Sequence, residues 1–182
     1  TKSGGNRFTS DHNFYFMNDA LQGSNVDDDL CRQLGLQPGC ESQTGAAGNP
    51  VEISYDYSGT LGGPIKRDKV WFWFSTRFNS VKGEAGIFTN ANAFKVNEWL
   101  YVPTTTPAVN EGQQFNNSLR VTWQVNPKVK VAGTYKADKW CNCPSDITAT
   151  RAPEAGRDRR FPRLRQEHGE VTSPITNKLL FE

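Results

Sequence analysis

The stretch VEISYDYSGTLGGPIKRDKVWFWFSTRF, residues 51–78, decides the fold of this chain. From residue 51 to residue 61, apolar and polar residues alternate without an error, which is typical of a β-strand with one apolar and one polar face. The segment GGPIKRDK, residues 62–69, is a turn signal, and an aromatic-rich strand follows it. We therefore predict a hairpin of two long strands.

The same alternation recurs along the rest of the chain. It predicts strands near residues 7–17, 51–61, 70–82, 114–126, 128–140 and 166–173, with long loops at 18–50, 83–113 and 141–165. A short helix fits within the second loop, near residues 91–98. Long loops and short turns thus alternate along the sequence, as they do in outer-membrane barrels. We predict an all-β fold, an antiparallel meander of long strands that is part of a large transmembrane β-barrel.

Composition excludes some other classes of protein. The 182 residues carry a formal net charge of only +2, and they are 36% hydrophobic but 12% aromatic. No segment approaches the roughly 20 apolar residues of a spanning helix, whereas barrel strands escape such a search because their hydrophobicity alternates. Arginines are concentrated in residues 151–165, but acids dilute them and aromatics hardly interleave, so we expect contact with anionic lipid rather than nucleic acid.

The four cysteines form two local pairs. Cys31 and Cys40 enclose a plausible loop, and we predict a disulfide between them, as in proteins of oxidising compartments. For Cys141 and Cys143, a bridge is possible, and free thiols, metal binding and redox chemistry are alternatives.

Few residues are candidates for catalysis, metal binding or ligand contact. The two histidines, His12 and His168, stand alone in strand-like segments, so we predict no catalytic residues and no enzyme. A cofactor is not expected either, although a run of three carboxylates without EF-hand spacing is a weak calcium candidate. Three aromatic residues in or beside long loops could stack on a ligand, or pack between loops. The calcium candidates are Asp27, Asp28 and Asp29, and the ligand-contact candidates are Trp99, Tyr101 and Trp140.

Two blocks resemble a known family. TKSGGNRF at residues 1–8, followed by FYFMND at 14–19, resembles the plug-to-barrel junction of TonB-dependent outer-membrane receptors, particularly those with a carboxypeptidase-regulatory-like N-terminal domain. Residues 57–73, YSGTLGGPIKRDKVWFW, are similar to the family hairpin of the form GGxxGGPIxKDKxFFF. The layout of the whole chain agrees with the family, but only these blocks are specific.

The resemblance implies a fragment: residues 1–6 end the plug, and residues 7–182 begin a barrel of roughly 22 strands. It implies uptake of a large nutrient (an oligosaccharide, a peptide or a chelated metal) across the bacterial outer membrane. The implied partners are the rest of the barrel and plug, outer-membrane lipid and the unknown nutrient. Energy coupling would act only through parts of the receptor that have no counterpart in this sequence.

The resemblance also assigns roles around the first short turn. It implies a tight periplasmic turn permitted by two glycines and a proline, with charged residues in water and an inner aromatic girdle beside it. The turn residues are Gly62, Gly63, Pro64, Lys66, Arg67, Asp68 and Lys69, and the girdle residues are Trp71, Phe72 and Trp73.

An alternative function remains open. A soluble or cell-surface β-rich module could use the same aromatics and long loops to bind a glycan. Such a module would pack its apolar face against a second sheet, whereas a barrel turns that face to lipid.

Overall fold

The computed structural model of the chain describes residues 4–23, 27–33, 50–148, 150–176 and 179–181. The only helical elements among them are the helix α1 (Asp28–Gln33) and two 3-10 segments, and no described helix is long and apolar enough to cross a membrane. The fold is all-β, as predicted. The strands are β1 (Thr9–Asn18), β2 (Val51–Lys66), β3 (Val70–Asn90), β4 (Pro103–Asn126), β5 (Val129–Ser145), β6 (Arg157–Thr176) and β7 (Leu179–Phe181).

The strands form one sheet with the order β1-β2-β3-β4-β5-β6-β7, and each pairs antiparallel with the next. This arrangement confirms the predicted antiparallel meander. Strands β1 and β7 are the two edges of the sheet, and β1 pairs only with β2 among the described residues.

The strands are longer than the sequence predicts. The predicted loop 83–113 shrinks to residues 91–102, because β3 and β4 continue to pair through contacts such as Gly83 with Asn110 and Phe88 with Pro107. Residues 91–98 form turns instead of the expected short helix. Gly, Thr and Pro obscure the alternation in this region, and the register shifts of the ladder break it further.

The third loop is also shorter than predicted. Residues 141–145 still belong to β5 and residues 157–165 to β6, so the predicted loop 141–165 reduces to residues 146–156. Pro162 and the surrounding arginines argue against a strand locally. The proline is accommodated at a register shift, where β6 has one residue more than β5.

The prediction that Gly62, Gly63 and Pro64 form the tight turn is wrong. Gly62, Gly63 and Pro64 lie inside β2, and the chain reverses after them, where Lys69 donates its N–H to the Lys66 carbonyl over 3.1 Å. Asp68 takes the left-handed conformation in this turn, with φ of 58°, which Asp tolerates better than most residues.

The segment before β1 holds this short turn in place. The side-chain oxygen of Asn6 accepts hydrogen bonds from the Asp68 N–H, over 3.0 Å, and from the Trp71 ring nitrogen, over 2.8 Å. Gly4 lies so close to the Phe72 carbonyl that a Cβ would stand 2.2 Å from its oxygen. The first described residues therefore pack against the end of the β2–β3 hairpin.

Candidate functional site

The register gives the sheet two chemically distinct faces. Directly paired residues of an antiparallel ladder project to the same side, so the pairs Tyr57–Phe78, Phe78–Phe115 and Leu119–Tyr135 continue one apolar surface across four strands. We call this side the apolar face and the other the polar face. The large residues of the apolar face are Phe8, Phe14, Phe16, Tyr55, Tyr57, Leu61, Phe72, Phe74, Phe78, Phe115, Leu119, Val121, Trp123, Val131, Tyr135 and Val171.

Along β4, burial is inverted relative to that of a water-soluble sheet. On the apolar face, Phe14 is 65% exposed and Leu119 is 42% exposed. On the polar face, Arg120 is 8% exposed and Thr122 only 2%. A sheet in water would bury its apolar face and expose its polar one. Strand β4 does the opposite.

Aromatic contacts tie the apolar face together. The rings of Tyr55 and Phe78 have centroids 5.4 Å apart, and Phe78 meets Phe115 edge-on at 6.3 Å. His12 stands on the same face, where its Nδ1 lies 2.9 Å from the Tyr57 hydroxyl, above Gly59. These contacts are cross-strand pairs, the main stabilising units of a sheet.

The apolar surface runs obliquely across the strands. One row of paired residues is aromatic from Phe14 on β1 to Phe115 on β4, but it reaches Lys139 on β5. A second row, nearer the short turns, remains apolar across more strands: it runs from Trp123 on β4 through Val131 on β5 to Val171 on β6. The apolar band thus shifts toward the short turns from β1 to β6, and the strands are inclined to it.

Ion pairs and amides line the polar face. Asp56 accepts two hydrogen bonds from the Arg77 Nε at 3.1 Å and a third from the terminal nitrogen of that guanidinium. Arg120 binds Glu170 over 2.8 Å, and Thr134 lies 3.2 Å from the same guanidinium. Each pair joins two strands, so the face is a hydrogen-bonded surface rather than a scatter of side chains.

These polar pairs are candidate functional residues that the sequence analysis did not identify. The pair Asp56–Arg77 follows from the hairpin register, which places Arg77 diagonally across from Asp56. The pair Arg120–Glu170 joins residues 50 positions apart on β4 and β6, which are not neighbours in the sheet. No local sequence pattern could have revealed that pair.

The implied aromatic girdle does not form as expected. Phe72 pairs with Gly63 and Val121 on the apolar face, so alternation turns Trp71 and Trp73 to the polar face. The Trp73 ring covers Gly62, where an added Cβ would lie 2.3 Å from the ring. Of the three girdle residues, only Phe72 shares a face with the apolar band.

The segment after β5 packs against the far end of the β3–β4 hairpin. Ile147 is buried in a small cluster with Ala85 and Ala108. Asn110 fixes it from both sides: the amide nitrogen donates to the Ile147 carbonyl over 2.9 Å, and the amide oxygen accepts from the Ile147 N–H over 3.1 Å. Residues 146–148 and 150–156 are thereby held at the long-loop end of the sheet.

An ion pair reinforces this segment. Arg157 donates to the Asp146 carboxylate and Arg159 lies 3.1 Å from it, which together lower the pKa of Asp146 below its ordinary value. A group with a lowered pKa contributes stability above its ordinary pKa and loses it as the pH falls through the folded-state value. The contact with Arg157 is therefore complete at neutral pH and is lost only in acid.

We expect Asn110→Ala to release residues 146–156 while leaving the sheet folded. Two partly buried backbone groups of Ile147 lose their partner, and each such bond contributes about 0.5–1.5 kcal/mol. Amide exchange of Ile147 should quicken, and trypsin should cut faster after Arg151. Asn116→Ala is the matched control, because Asn116 bonds a side chain, that of Asp138, and no loop backbone. Unchanged exchange in Asn110→Ala would contradict this assignment.

The predicted ligand-contact residues do not come together. Trp99 is 93% exposed at the β3–β4 tip, and the Tyr101 hydroxyl donates to the Phe88 carbonyl over 2.7 Å. Trp140 pairs with Gln114 and stacks on Phe161 at 5.0 Å, roughly 35 Å along the strand from the tip. Stacking on a ligand stays a prediction, but no single ligand would touch all three.

The structure describes one of the two predicted cysteine pairs. Cys141 and Cys143 are bonded to each other, with Cα atoms 5.5 Å apart. Cys40 lies outside the described residues, so the bond between Cys31 and Cys40 stays a prediction.

The predicted calcium ligands have other roles. The Asp27 carboxylate accepts from the Leu30 N–H at the start of α1, over 2.8 Å, and Asp29 pairs with Arg32. The side chain of Asp28 is not among the described ones. Within the described ranges, no three His, Cys, Asp or Glu side chains gather as a metal site. Calcium binding by this run stays a prediction.

Comparison of the chain with protein-family models, with curated proteins and with solved structures finds no match.

Proposed function

We propose that the chain forms part of the wall of a TonB-dependent outer-membrane receptor, which takes up a large nutrient. The apolar face contacts lipid, and the polar face lines the lumen through which the nutrient passes. The observation that carries this proposal is the inverted burial, with Leu119 exposed and the neighbouring Arg120 buried. Transmembrane barrels have this arrangement, with an apolar outside and a polar inside.

The oblique apolar band supports the same proposal. Strands of such barrels tilt by about 35–45° from the membrane normal, so a level band of lipid crosses neighbouring strands at successively shifted positions. The end of the band moves in this way, because Phe115 on β4 is followed by Lys139 on β5, and Tyr135, nearer the short turns on β5, is followed by Glu167 on β6. A packed soluble sandwich imposes no such gradient on its apolar face.

The polar face suits a water-filled interior. Two of its carboxylates are paired with guanidiniums, in Asp56–Arg77 and Arg120–Glu170, which lowers the cost of their partial burial. Ser58, Thr60 and Lys136 line the same surface between these pairs. Mixed donors and acceptors of this kind favour a polar nutrient, such as an oligosaccharide or peptide.

Trp123 offers a direct test, because it stands on the apolar face, close to the β4–β5 turn. The chain is reconstituted into vesicles with brominated acyl chains, and its tryptophan fluorescence is compared with that of Trp123→Phe. We expect quenching in the wild type and a reduced quenched component in Trp123→Phe. Trp99→Phe is the control and should leave that component unchanged, because Trp99 lies at the far β3–β4 tip.

The opposite result would favour the alternative function. If the chain remains monomeric in buffer and lipid bromines quench none of its tryptophans, the apolar face does not contact lipid. This result would favour the alternative hypothesis of a glycan-binding module.

A further inference from the structure

Three cations meet where the apolar band ends on β5 and β6. Lys139 pairs with Phe115 on one side, and the register shift beyond Asp138 leaves Pro162 and Arg163 together opposite it on the other. Arg165 pairs with Ala137, one step nearer the band. Directly opposed Cβ atoms of a sheet lie about 5 Å apart and diagonal ones about 7–8 Å, so the three side chains start from neighbouring points on the sheet. We call this group the rim cluster.

The rim cluster differs from the other arginines of β6. Arg157 and Arg159 share the Asp146 carboxylate, and Arg160 pairs with Asp158.

Lys139, Arg163 and Arg165 are exposed and make no ion pair within the described part of the chain. The nearest acid on this face is Glu167, which pairs with Tyr135 in the ladder and does not bridge to Arg165. Clustered like charges repel one another, which an anion would relieve.

Apolar grooves adjoin the rim cluster on the same face. One is lined by Phe78, Phe115 and Pro162, next to Lys139 itself. A second runs over the paired glycines Gly133 and Gly169, which leave a gap beside Leu119 and Tyr135. An amphiphile with an anionic head and acyl chains matches this combination of charge and grooves.

We propose that the rim cluster binds the phosphate of an anionic lipid headgroup, one without a cation of its own, with the acyl chains of that lipid in the adjoining grooves. Arg163 and Arg165 present guanidinium forks, which match phosphate oxygens, and Lys139 adds a point charge. The position supports a lipid rather than a free anion, because the cations border the apolar band directly. This inference rests on the proposed function, in which the apolar face contacts lipid.

The test compares two sets of vesicles by flotation: phosphatidylcholine alone, and phosphatidylcholine with a minority of phosphatidic acid. The variant Lys139→Gln/Arg163→Gln/Arg165→Gln removes the rim cluster. The control Arg151→Gln/Arg157→Gln/Arg159→Gln removes the same charge from the three arginines that contact Asp146. We expect the wild type and the control to prefer phosphatidic acid, and the rim variant to lose that preference by on the order of 100-fold.

Each other outcome has a distinct meaning. If the wild type binds neither vesicle, the proposed function fails. If the wild type binds both vesicles equally, or if the two triple variants lose the preference equally, the site for an anionic lipid is overturned while lipid contact by the apolar face stands. Inorganic phosphate is added as a competitor at constant ionic strength. If it abolishes the preference at low concentration, the site is one for free phosphate.

Discussion

Leu61→Lys is expected to destabilise the folded chain in a bilayer by about 2–4 kcal/mol, the cost of a lysine on the lipid side of a barrel near the membrane midplane. Leu61 stands on the apolar face, between Ser10 and Phe74, five residues before the end of β2. In water, the same substitution at a side chain that is already partly exposed would change stability by about 0.5 kcal/mol or less. The size of the effect therefore reports what the apolar face contacts.

The adjacent residue provides the control. Thr60 projects to the polar face, opposite Asp11 and Ser75, so Thr60→Lys places the same charge beside a carboxylate. We expect it to cost little. Urea unfolding of both variants in vesicles, followed by tryptophan fluorescence, gives the two free energies. Equal free-energy costs at positions 60 and 61 would show that the same medium surrounds both faces. The proposal that the apolar face contacts lipid would then be wrong.

Sequence alternation predicts the part of the fold that depends on one strand at a time. Residues 51–61 alternate so regularly that both the strand and its apolar face could be assigned directly, and the structure agrees. The hairpins also follow from local signals, because short turns separate long alternating runs. The meander could therefore be predicted.

Features that depend on register could not be predicted. The family resemblance predicts that Trp71 and Trp73 join Phe72 in an aromatic girdle. Because successive side chains of a strand point to opposite faces, both lie on the face opposite Phe72. The extension of β3 to Asn90 rests on pairing with β4, which continues past Glu84 through register shifts. The Arg120–Glu170 bridge requires β4 and β6 to face the same side of a formed sheet. Each of these is a property of neighbouring strands and not of any segment alone.

Gly62→Ala is expected to destabilise the chain by about 1–3 kcal/mol, although alanine usually suits a strand better than glycine does. An added Cβ would lie 2.3 Å from the Trp73 ring and 3.4 Å from the Phe72 carbonyl oxygen, so the indole must leave its position. The Trp73 ring is large and stands directly opposite Gly62 in the ladder. Overpacking of this kind forces a strained rotamer or a shift of the backbone.

Gly133→Ala is the matched control, because no atom lies within 4 Å of the Cβ that it would add. Alanine reduces the conformational entropy of the unfolded chain, so that variant should be as stable as the wild type or more stable by up to about 1 kcal/mol. Chemical denaturation of both variants measures the contrast, and a double-mutant cycle with Trp73→Leu assigns its cause. If the clash with the indole is responsible, Gly62→Ala should cost much less in the Trp73→Leu background. An unchanged cost there would mean that the β2 backbone, rather than the indole, requires a glycine at position 62.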